Sequence, residues 1–252
     1  MSLSERRLLL FTKPARAGRV KTRLIGAPPG GLSKEQAAEI HAAFVEDLLD
    51  RLRGGAFSTT IAWALDDLPE GEPIPDPYGF PGVRQEGADL GTRLYRALAA
   101  ASEGEPGSPD RVVAALGSDH PTLPVAAVEE AFARVEAGAD VVLGPADDGG
   151  YYLIAVARRA LSPRLFADVE WSTERVLAAT LDRAKELGLK VEQLAPGSDC
   201  DTPADLARLA LRLANEDLGC PRTRALLASW GRLPELAAAV RTEPGPAAEV
   251  RT

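Results

Sequence analysis

Apolar segments of strand length alternate with amphipathic segments of helix length along most of the chain. Strands are predicted at residues 6–12, 57–65, 83–85, 111–116, 140–143, 151–156 and 190–194. Helices are predicted after the capping box Ser33-Lys34-Glu35-Gln36 and at residues 90–101, 124–137, 173–187 and 203–214. Such an alternation is typical of an α/β fold, in which helices cover both faces of a mostly parallel sheet.

One pair of predicted strands departs from this pattern. Asp148-Gly149-Gly150 lies between residues 140–143 and residues 151–156, and the connection is too short for a crossover helix. One of these two strands is therefore predicted to run antiparallel. The expected fold class is α/β with a mixed, mostly parallel sheet.

The composition of the 252-residue chain excludes several classes of protein. Its 29 Lys and Arg residues against 37 Asp and Glu residues give a formal net charge of −8, which argues against a general nucleic-acid-binding protein. No apolar run approaches the roughly 20 residues that span a bilayer, so no membrane span is expected. Two cysteines provide no disulfide framework, which is typical of cytoplasmic proteins.

The charge is unevenly distributed along the chain. Residues 1–23 contain seven basic residues and one acidic residue, a net charge of +6, so the rest of the chain carries −14. This asymmetry predicts that the N-terminal segment binds one specific anion.

The basic residues concentrate in a loop, residues 13–24, directly after the first predicted strand. Ligands of open α/β sheets bind beyond the carboxyl ends of strands, where Gly lets a phosphate approach the backbone and Lys or Arg neutralises it. The loop does not have the Walker A pattern. Its predicted phosphate-binding residues are Lys13, Arg16, Gly18, Lys21, Thr22 and Arg23. The alternative is a solvated basic loop.

Two acidic motifs are candidate metal sites. In Leu116-Gly117-Ser118-Asp119-His120-Pro121 an apolar strand is followed by a single acid, and in Asp199-Cys200-Asp201-Thr202-Pro203 either Asp can supply a second carboxylate. Carboxylates together with substrate phosphates are typical ligands of Mg²⁺. The alternative at both motifs is that the Asp caps the following helix.

The motif Gly144-Pro145-Ala146-Asp147-Asp148-Gly149-Gly150-Tyr151-Tyr152 predicts a contact with substrate. Asp148 is a candidate base or acceptor for a hydroxyl, and Gly149 and Gly150 leave room for a ligand close to the backbone. The alternative is a plain hairpin turn, because Asp-Gly is a strong turn signal.

The segment from Gln85 to Leu94 predicts contacts with a nucleobase. The side-chain amide of Gln85 can pair with the edge of a base, and Gly91 lets a base lie flat on the backbone. The alternative is a helix start with Asp89 as its cap. Trp171 either stacks on a sugar or packs inside the protein.

The order of these motifs resembles that of a known family. The resemblance is carried by Phe11-Thr12-Lys13-Pro14, Gly18, Val20-Lys21-Thr22-Arg23-Leu24, Asp89-Leu90-Gly91-Thr92-Arg93-Leu94, Gly117-Ser118-Asp119-His120-Pro121, residues 143–154, Trp171-Ser172-Thr173 and residues 199–206. In combination they are similar to the DUF2064 group of bacterial GT-A-type transferases over about residues 6–210.

The resemblance implies a nucleotide-diphospho-sugar transferase fold, which is a Rossmann-like α/β fold with a mixed sheet and a divalent metal ion. It implies that Gln85 and Leu90-Gly91-Thr92 hold the nucleobase. It also implies that Asp119 and Asp201 hold the metal ion, Mg²⁺ or Mn²⁺.

Three positions depart from the family pattern. His120 and Cys200 replace small or aliphatic residues, and Thr92 stands where the family more often has an acid. The departure at Thr92 leaves the choice of base open.

The first functional hypothesis is a metal-dependent glycosyltransferase that moves a sugar from a nucleotide-diphospho-sugar to a small-molecule acceptor. Its predicted catalytic residues are Asp148, Lys21 and Arg23. Asp148 meets the acceptor hydroxyl, and Lys21 and Arg23, together with Lys13, stabilise the leaving nucleoside diphosphate. Asp147 is the weaker candidate for the role of Asp148.

The second hypothesis is a nucleotidyltransferase, in which the same groups act on the α-phosphate of a nucleoside triphosphate and pyrophosphate leaves. The basic loop favours this hypothesis, because pyrophosphate needs many cations. The third is a protein that binds a nucleotide sugar without turnover.

The resemblance does not cover the tail after residue 217, which predicts a transferase domain at residues 1–217 and a helical extension at residues 218–252. Residues 242–252 are predicted to be frayed. In the extension, Leu226, Leu227, Trp230 and Leu233 dock either on this domain or on a partner. The oligomeric state does not follow from the sequence.

Overall fold

The computed structural model describes residues 5–26, 31–66, 73–103 and 111–242. By its internal contacts the chain divides into two compact units. The first unit comprises Met1–Pro14 and Leu48–Asp199, and the second comprises Ala15–Asp47 and Cys200–Thr252. The second unit is therefore built from two segments that are distant in sequence.

The first unit is organised around a mixed β-sheet. Within the described residues its strands are β1 (Arg6–Thr12), β2 (Ser58–Trp63), β3 (Gly82–Arg84), β4 (Val112–Gly117), β5 (Val141–Pro145), β6 (Tyr151–Ala157) and β7 (Val191–Gln193). They lie in the order β3-β2-β1-β4-β6-β5-β7. β6 runs antiparallel to β4 and β5, whereas the other neighbouring pairs are parallel. The predicted fold class is confirmed, and β6 is the antiparallel strand.

The central strands are buried almost throughout. Residues 112–116 of β4 and all residues of β5 are buried, as is β6 after its first residue. Continuous burial of this kind indicates that both faces of the sheet are covered. The helices of the first unit are α2 (Leu90–Ser102), α3 (Val125–Glu136) and α4 (Val176–Glu186), with short 3-10 helices at Arg158–Ala160 and Pro163–Phe166.

Helix α1 (Lys34–Leu52) begins at the predicted capping box. The Ser33 amide donates to Gln36 Oε1 at 3.0 Å, and the Gln36 amide donates to Ser33 Oγ at 3.1 Å. The predicted apolar stripe is buried, with Ile40, Phe44 and Leu48 all at 0% exposure. The side chain of each residue accepts from the backbone amide of the other. This helix start could therefore be predicted from four residues.

Helix α4 starts three residues later than predicted. Ser172 has a left-handed backbone, with φ of 64°, which interrupts helical geometry just before Thr173. The Thr173 hydroxyl donates to the Glu170 carbonyl at 2.7 Å and closes a turn there. The segment around Trp171 is therefore a structured loop, and the helix begins at Val176.

The second unit is helical. It contains the part of α1 that ends at Asp47, a 3-10 helix at Thr22–Leu24, and helices α5 (Pro203–Asn215), α6 (Pro221–Ser229) and α7 (Arg232–Thr242). Leu227 is part of the buried core of this unit, and Leu226, Trp230 and Leu233 pack against that core. The C-terminal helices therefore dock within this chain. The predicted boundary between residues 217 and 218 lies inside the second unit.

A buried carboxylate holds α6 in place. Asp47 is 1% exposed and accepts from the amides of Arg222 and Thr223 at 3.0 and 2.9 Å, and from Thr223 Oγ1 at 2.7 Å. These amides belong to the first turn of α6, whose N–H groups have no partner within the helix. Asp47 thus caps a helix from a distant part of the sequence.

Residues 27–30 and 67–72 lie outside the described residues, as do residues 243–252 of the predicted frayed end. Among the helices that the structure describes, none combines the length and the apolar character that crossing a membrane requires.

Candidate functional site

Predicted site residues of the first unit follow four strands at the same edge of the sheet. Lys13 follows β1, Gln85 follows β3, Asp119 lies two residues after β4, and Asp148 lies three residues after β5. These four strands are parallel within one sheet, so their carboxyl ends share one edge. This edge is where open α/β sheets bind ligands. We call it the carboxyl edge.

Asp148 is an exposed acid in the turn between β5 and β6. Its Oδ1 accepts from the Gly150 amide at 2.9 Å, which fixes the carboxylate in the turn. Gly149 has a φ of +85°, and a Cβ there would lie 2.1 Å from the Glu174 carbonyl oxygen. The Gly149 carbonyl in turn accepts from the Leu177 amide at 2.9 Å. Gly149 therefore lets the turn pack against the start of α4.

Asp147, the weaker candidate, is held differently. Its carboxylate accepts from Ser198 Oγ, and its amide donates to the Gly197 carbonyl at 3.1 Å. Both bonds tie Asp147 to the segment that follows β7. The Asp147 carboxylate is thus engaged with a distant segment of the chain, whereas the Asp148 carboxylate is engaged with an amide of its own turn.

Gln85 is buried at the carboxyl end of β3. Its Nε2 donates to the Ala62 carbonyl at 2.8 Å and to the Thr12 carbonyl at 3.4 Å. The side chain therefore links the ends of β1, β2 and β3. The contact of Gln85 with a nucleobase stays a prediction.

Helix α2 begins with the predicted cap, because Asp89 Oδ1 accepts from the Thr92 amide at 2.7 Å. This bond lowers the pKa of the Asp89 carboxyl. A Cβ on Gly91 would lie 2.7 Å from Trp171 Nε1 and 2.8 Å from the Phe166 carbonyl oxygen. The Trp171 indole thus occupies the space that a side chain at residue 91 would need. Gly91 therefore allows α2 to pack closely against Trp171.

Trp171 also contacts the strand that begins at the carboxyl edge. Its ring meets the Tyr151 ring edge to face, with centroids 6.4 Å apart. Together with the approach to Gly91, this contact favours packing over the stacking on a sugar that the sequence left open.

Asp119 is half-buried, and the residues that follow it contact Tyr152 and Arg51. The His120 ring is buried and lies edge to face against Tyr152, with centroids 5.3 Å apart. Arg51 donates from Nη2 to the Pro121 carbonyl at 2.6 Å and from Nη1 to the Leu123 carbonyl at 2.7 Å. Sequence reasoning missed Arg51, because a basic residue in the last turn of a helix is ordinary.

A second missed pair lies at the end of β2. Arg93 donates from Nη1 and Nη2 to the two oxygens of Asp66, both at 2.7 Å, and from Nε to the Gly87 carbonyl at 3.0 Å. The Arg93 bonds hold the pKa of the Asp66 carboxyl below its usual value, although partial burial raises it, and the nearby charge of Lys13 contributes to the lowering. The Arg in the motif that follows Asp89 was the available signal.

The second unit brings together two residues that were predicted for different roles. Lys21 Nζ donates to Asp201 Oδ1 and to the Cys200 carbonyl, both at 2.9 Å, and the Lys21 side chain is 3% exposed. Its ammonium also lies 5.5 Å from the centre of the Phe44 ring. Lys21 and Asp201 therefore form a largely buried ion pair.

The remaining residues of the basic loop are more open. Arg23 Nη1 lies 3.8 Å from Asp201 Oδ2 with a side chain that is 67% exposed. Arg16 and Thr22 are exposed as well. Gly18 has a φ of +73° and lies beside Lys34. A Cβ built at Gly18 would lie 3.4 Å from Lys34 Cδ. These exposed groups are the ones that can meet an anion directly.

The cap of α5 is Thr202 and not Asp201. Thr202 Oγ1 accepts from the Asp205 amide at 3.3 Å, and Asp205 Oδ2 accepts from the Thr202 amide at 2.7 Å. The Asp201 amide also donates to Asp205 Oδ2, at 3.1 Å. The Asp201 carboxylate is thus not used as a helix cap and points to Lys21.

The metal prediction rests on carboxylates that belong to different units, Asp119 to the first and Asp201 to the second. In the part of the chain that the structure describes, no group of three or more His, Cys, Asp or Glu residues could hold a metal ion. A metal bound by one or two carboxylates takes its other ligands from substrate phosphates and water, as Mg²⁺ commonly does. Asp119 and Asp201 therefore stay predicted metal ligands.

The comparison with known families settles the predicted resemblance. Residues 55–173 match the family model described as an uncharacterized protein conserved in bacteria, DUF2064. The predicted resemblance to DUF2064 is confirmed over these residues. The DUF2064 segment includes Gln85, Gly91, Asp119 and Asp148, whereas the basic loop and Asp201 lie outside it. The family match therefore covers the carboxyl edge of the first unit from β2 to β6.

Two solved structures are similar to this chain. A candidate nucleotide-diphospho-sugar transferase from Desulfovibrio desulfuricans G20 shares 29% sequence identity and a TM-score of 0.80, covering 93% of this chain and 99% of that chain. A cytidylyltransferase from Leptospira borgpetersenii serovar Hardjo-bovis shares 12% identity and a TM-score of 0.53, covering 92% of this chain and 97% of that chain. The second likeness shows a shared fold. The comparison with curated proteins finds no match.

Proposed function

We propose that the protein is a metal-dependent glycosyltransferase that moves a sugar from a nucleotide-diphospho-sugar to a small-molecule acceptor. The observation that carries the proposal is the convergence of Lys13, Gln85, Asp119 and Asp148 on the carboxyl edge of one sheet. In this proposal the Lys13 cation meets the diphosphate and the Gln85 amide meets the nucleobase. The Asp119 carboxylate holds the metal ion, and the Asp148 carboxylate meets the acceptor hydroxyl.

The likeness to the Desulfovibrio structure supports the same substrate class. That protein is a candidate nucleotide-diphospho-sugar transferase, and the similarity extends over 93% of this chain. The proposal extends its donor type, and not its acceptor, to this protein.

In the proposed reaction, the acceptor hydroxyl oxygen bonds to the anomeric carbon of the sugar while the bond from that carbon to the diphosphate breaks. The exposed Asp148 carboxylate takes the hydroxyl proton. The nucleoside diphosphate leaves with the bonding electron pair. Gly149 and Gly150 keep the acid within a turn that a ligand can approach.

Lys13, Lys21 and Arg23 are proposed to stabilise the leaving diphosphate. Lys13 and Arg23 are exposed, so they can contact it at little desolvation cost. Lys21 is buried, so it is proposed to act on the diphosphate through Asp201, the carboxylate to which its ammonium donates. Arg16, Gly18 and Thr22 are proposed as further phosphate contacts.

Asp119 is the proposed metal ligand of the first unit, and Asp201 that of the second. The bound ion, Mg²⁺ or Mn²⁺, would supply positive charge to the diphosphate oxygens. Gln85, with Gly91 and Thr92 at the start of α2, is proposed to hold the nucleobase.

The alternative is a nucleotidyltransferase, in which an oxygen of a phosphorylated substrate bonds to the α-phosphorus of a nucleoside triphosphate and pyrophosphate leaves. The exposed cations of the basic loop favour this alternative, because pyrophosphate carries more charge than a diphosphate ester. A binding protein without turnover is the third possibility.

A panel of ligands separates these functions. Thermal unfolding is measured with Mg²⁺ or Mn²⁺ and either nucleotide-diphospho-sugars or nucleoside triphosphates. The glycosyltransferase proposal expects metal-dependent stabilisation by a nucleotide sugar and release of nucleoside diphosphate on turnover. Stabilisation by a triphosphate, with pyrophosphate release on addition of a sugar phosphate, would replace it by the alternative.

Variants then test the assigned acids. Asp119→Ala is expected to abolish the metal-dependent part of the stabilisation, whereas Asp182→Ala, at an exposed position on α4, leaves it unchanged. Asp148→Asn is expected to keep nucleotide-sugar binding and to lower turnover at least about 100-fold, the typical contribution of a positioned base. Binding by the parent protein with no turnover of any donor would indicate the third possibility.

A further inference from the structure

A groove of about 330 Å³ lies in the first unit beside α2, and none of the predicted site residues lines it. We call it the edge groove, because it lies over the edge strand β3 and the two strands next to it, β2 and β1. Its floor and wall include Leu9, Thr60, Val83, Ala97 and Ala100. The volume is at the lower end of the roughly 300–1,000 Å³ that small-molecule sites occupy.

The floor of the groove follows from strand register. Leu9 of β1 is directly opposite Thr60 of β2, and Ala62 of β2 is opposite Val83 of β3. Alternate residues of a strand share a face, so Leu9, Thr60 and Val83 lie on the same face of the sheet. Val83 is 39% exposed, which shows that this face is open at the edge strand.

Helix α2 forms the wall, and small side chains leave the space open. Ala97, Ala100 and Ala101 line the groove along the second half of the helix. An apolar floor and an apolar wall meet there, and such a surface favours a flat, apolar part of a ligand over water.

The charged lining of the groove is mostly basic. Arg7, Arg84 and Arg96 line it together with one acid, Glu86. Arg96 is exposed, and the Arg7 side chain is 39% exposed with Nη2 at 3.4 Å from Glu5 Oε2. The groove thus has three guanidinium groups for one carboxylate, although the whole chain has a net charge of −8. Guanidinium groups bind carboxylate and phosphate with paired hydrogen bonds.

We propose that the edge groove is a second ligand site, which binds a small organic anion with a flat apolar part and a carboxylate, sulfonate or phosphate group. The apolar part lies between the sheet and the alanines of α2, and the anionic group contacts the arginines. The site is independent of the proposed transferase function, because it uses none of the residues assigned to that function.

The probe that tests the site is 8-anilinonaphthalene-1-sulfonate, which combines flat rings with one anionic group. Its binding to the folded parent protein is measured by fluorescence titration. Arg96→Glu reverses one charge of the groove, and Ala100→Leu fills the groove without changing charge. Both are expected to weaken binding of the probe at least fivefold.

Matched variants control for charge and volume. Arg158→Glu reverses an exposed arginine elsewhere in the first unit, and Ala178→Leu enlarges an exposed alanine on α4. Both are expected to bind the probe within twofold of the parent. The proposal fails if the parent does not bind the probe, or if Arg96→Glu and Ala100→Leu bind it as tightly as their controls. Circular dichroism and urea midpoints confirm that the compared proteins are folded.

Discussion

In the first unit the candidate acid Asp148 is exposed in a turn whose shape depends on Gly149. In the second unit the candidate acid Asp201 is paired with Lys21, whose side chain is 3% exposed. The first arrangement relies on close backbone packing. The second relies on charges removed from water, as does the cap that Asp47 provides for α6.

This difference teaches where each unit is vulnerable. A surface carboxylate contributes little to stability, so removal of an exposed acid should change the stability of the first unit little. Close packing at its glycines should contribute more. A buried charge is costly once its partner is lost, so the second unit depends on intact pairs. Backbone substitutions should therefore dominate in the first unit, and charge removal in the second.

The strongest test of the first half of this comparison is Gly149→Ala. We expect the free energy of unfolding to fall by about 2–5 kcal/mol, because left-handed backbone costs an alanine about 1–2 kcal/mol and steric overpacking about 1–3 kcal/mol more. The overpacking arises because the new Cβ would lie 2.1 Å from the Glu174 carbonyl oxygen. Urea denaturation measures the loss.

Gly188→Ala is the control for this substitution. Gly188 also has a positive φ, of +69°, but among the residues that the structure describes no atom other than those of its chain neighbours lies within 4 Å of a Cβ built there. Its substitution should cost only the backbone part, about 1–2 kcal/mol. Equal losses in the two variants would show that the contact with Glu174 gives way, and the backbone argument for the first unit would be lost.

The second half of the comparison is tested by Asp47→Ala. We expect a loss of about 2–3 kcal/mol, because the amide and hydroxyl of buried Thr223 lose their acceptor. Glu46→Ala is the matched control, since Glu46 on the same helix pairs with Arg222 at the surface, at 2.7 Å. Its removal should cost less than about 1 kcal/mol. Similar urea midpoints for the two variants would contradict the importance of burial.

A double-mutant cycle measures the ion pair of the second unit. Lys21→Met and Asp201→Asn, made singly and together, should give a coupling free energy of about 1–2 kcal/mol. The matching cycle of Arg23→Ala with Asp201→Asn should give less than about 0.5 kcal/mol, because that pair is 3.8 Å apart and largely exposed. If both cycles gave the same coupling free energy, the burial of Lys21 would not strengthen its interaction with Asp201 relative to that of Arg23.

The predictions that succeeded depend on neighbours in sequence. The capping box at Ser33, the turn at Gly149 and the strand Arg6–Thr12 are all specified within a few residues. Local propensity and hydrophobic pattern act over that range, so these elements could be predicted. The placement of Asp119 and Asp148 at one edge followed from the parallel sheet.

The contacts that were missed join residues far apart in sequence. Lys21 lies 180 positions from Asp201, and Asp47 lies 176 positions from Thr223. No spacing rule relates such residues, because their contact depends on the packing of whole helices. For the same reason the sequence could not show that the Trp171 indole lies against Gly91.

The smallest expected effect concerns a charge in the first unit, that of Asp66. The Arg93 bonds lower the pKa of its carboxyl in the folded protein, so ionised Asp66 stabilises the fold above its unfolded pKa of about 3.9. This stabilisation is lost as pH falls through the lower pKa of the folded state. Because the Asp66 side chain is 57% exposed, Asp66→Asn should cost less than about 1 kcal/mol at pH 7.

Urea denaturation of the parent and Asp66→Asn across pH 7 to pH 2 measures this effect. The two stabilities should converge at the acid end, and Arg93→Gln should remove the same pH-dependent difference, since it takes away the group that lowers the pKa. A loss above about 2 kcal/mol at pH 7 would exceed the range of exposed ion pairs. In that case charges would support the first unit as strongly as the second, and the division between backbone packing and paired charges would no longer hold.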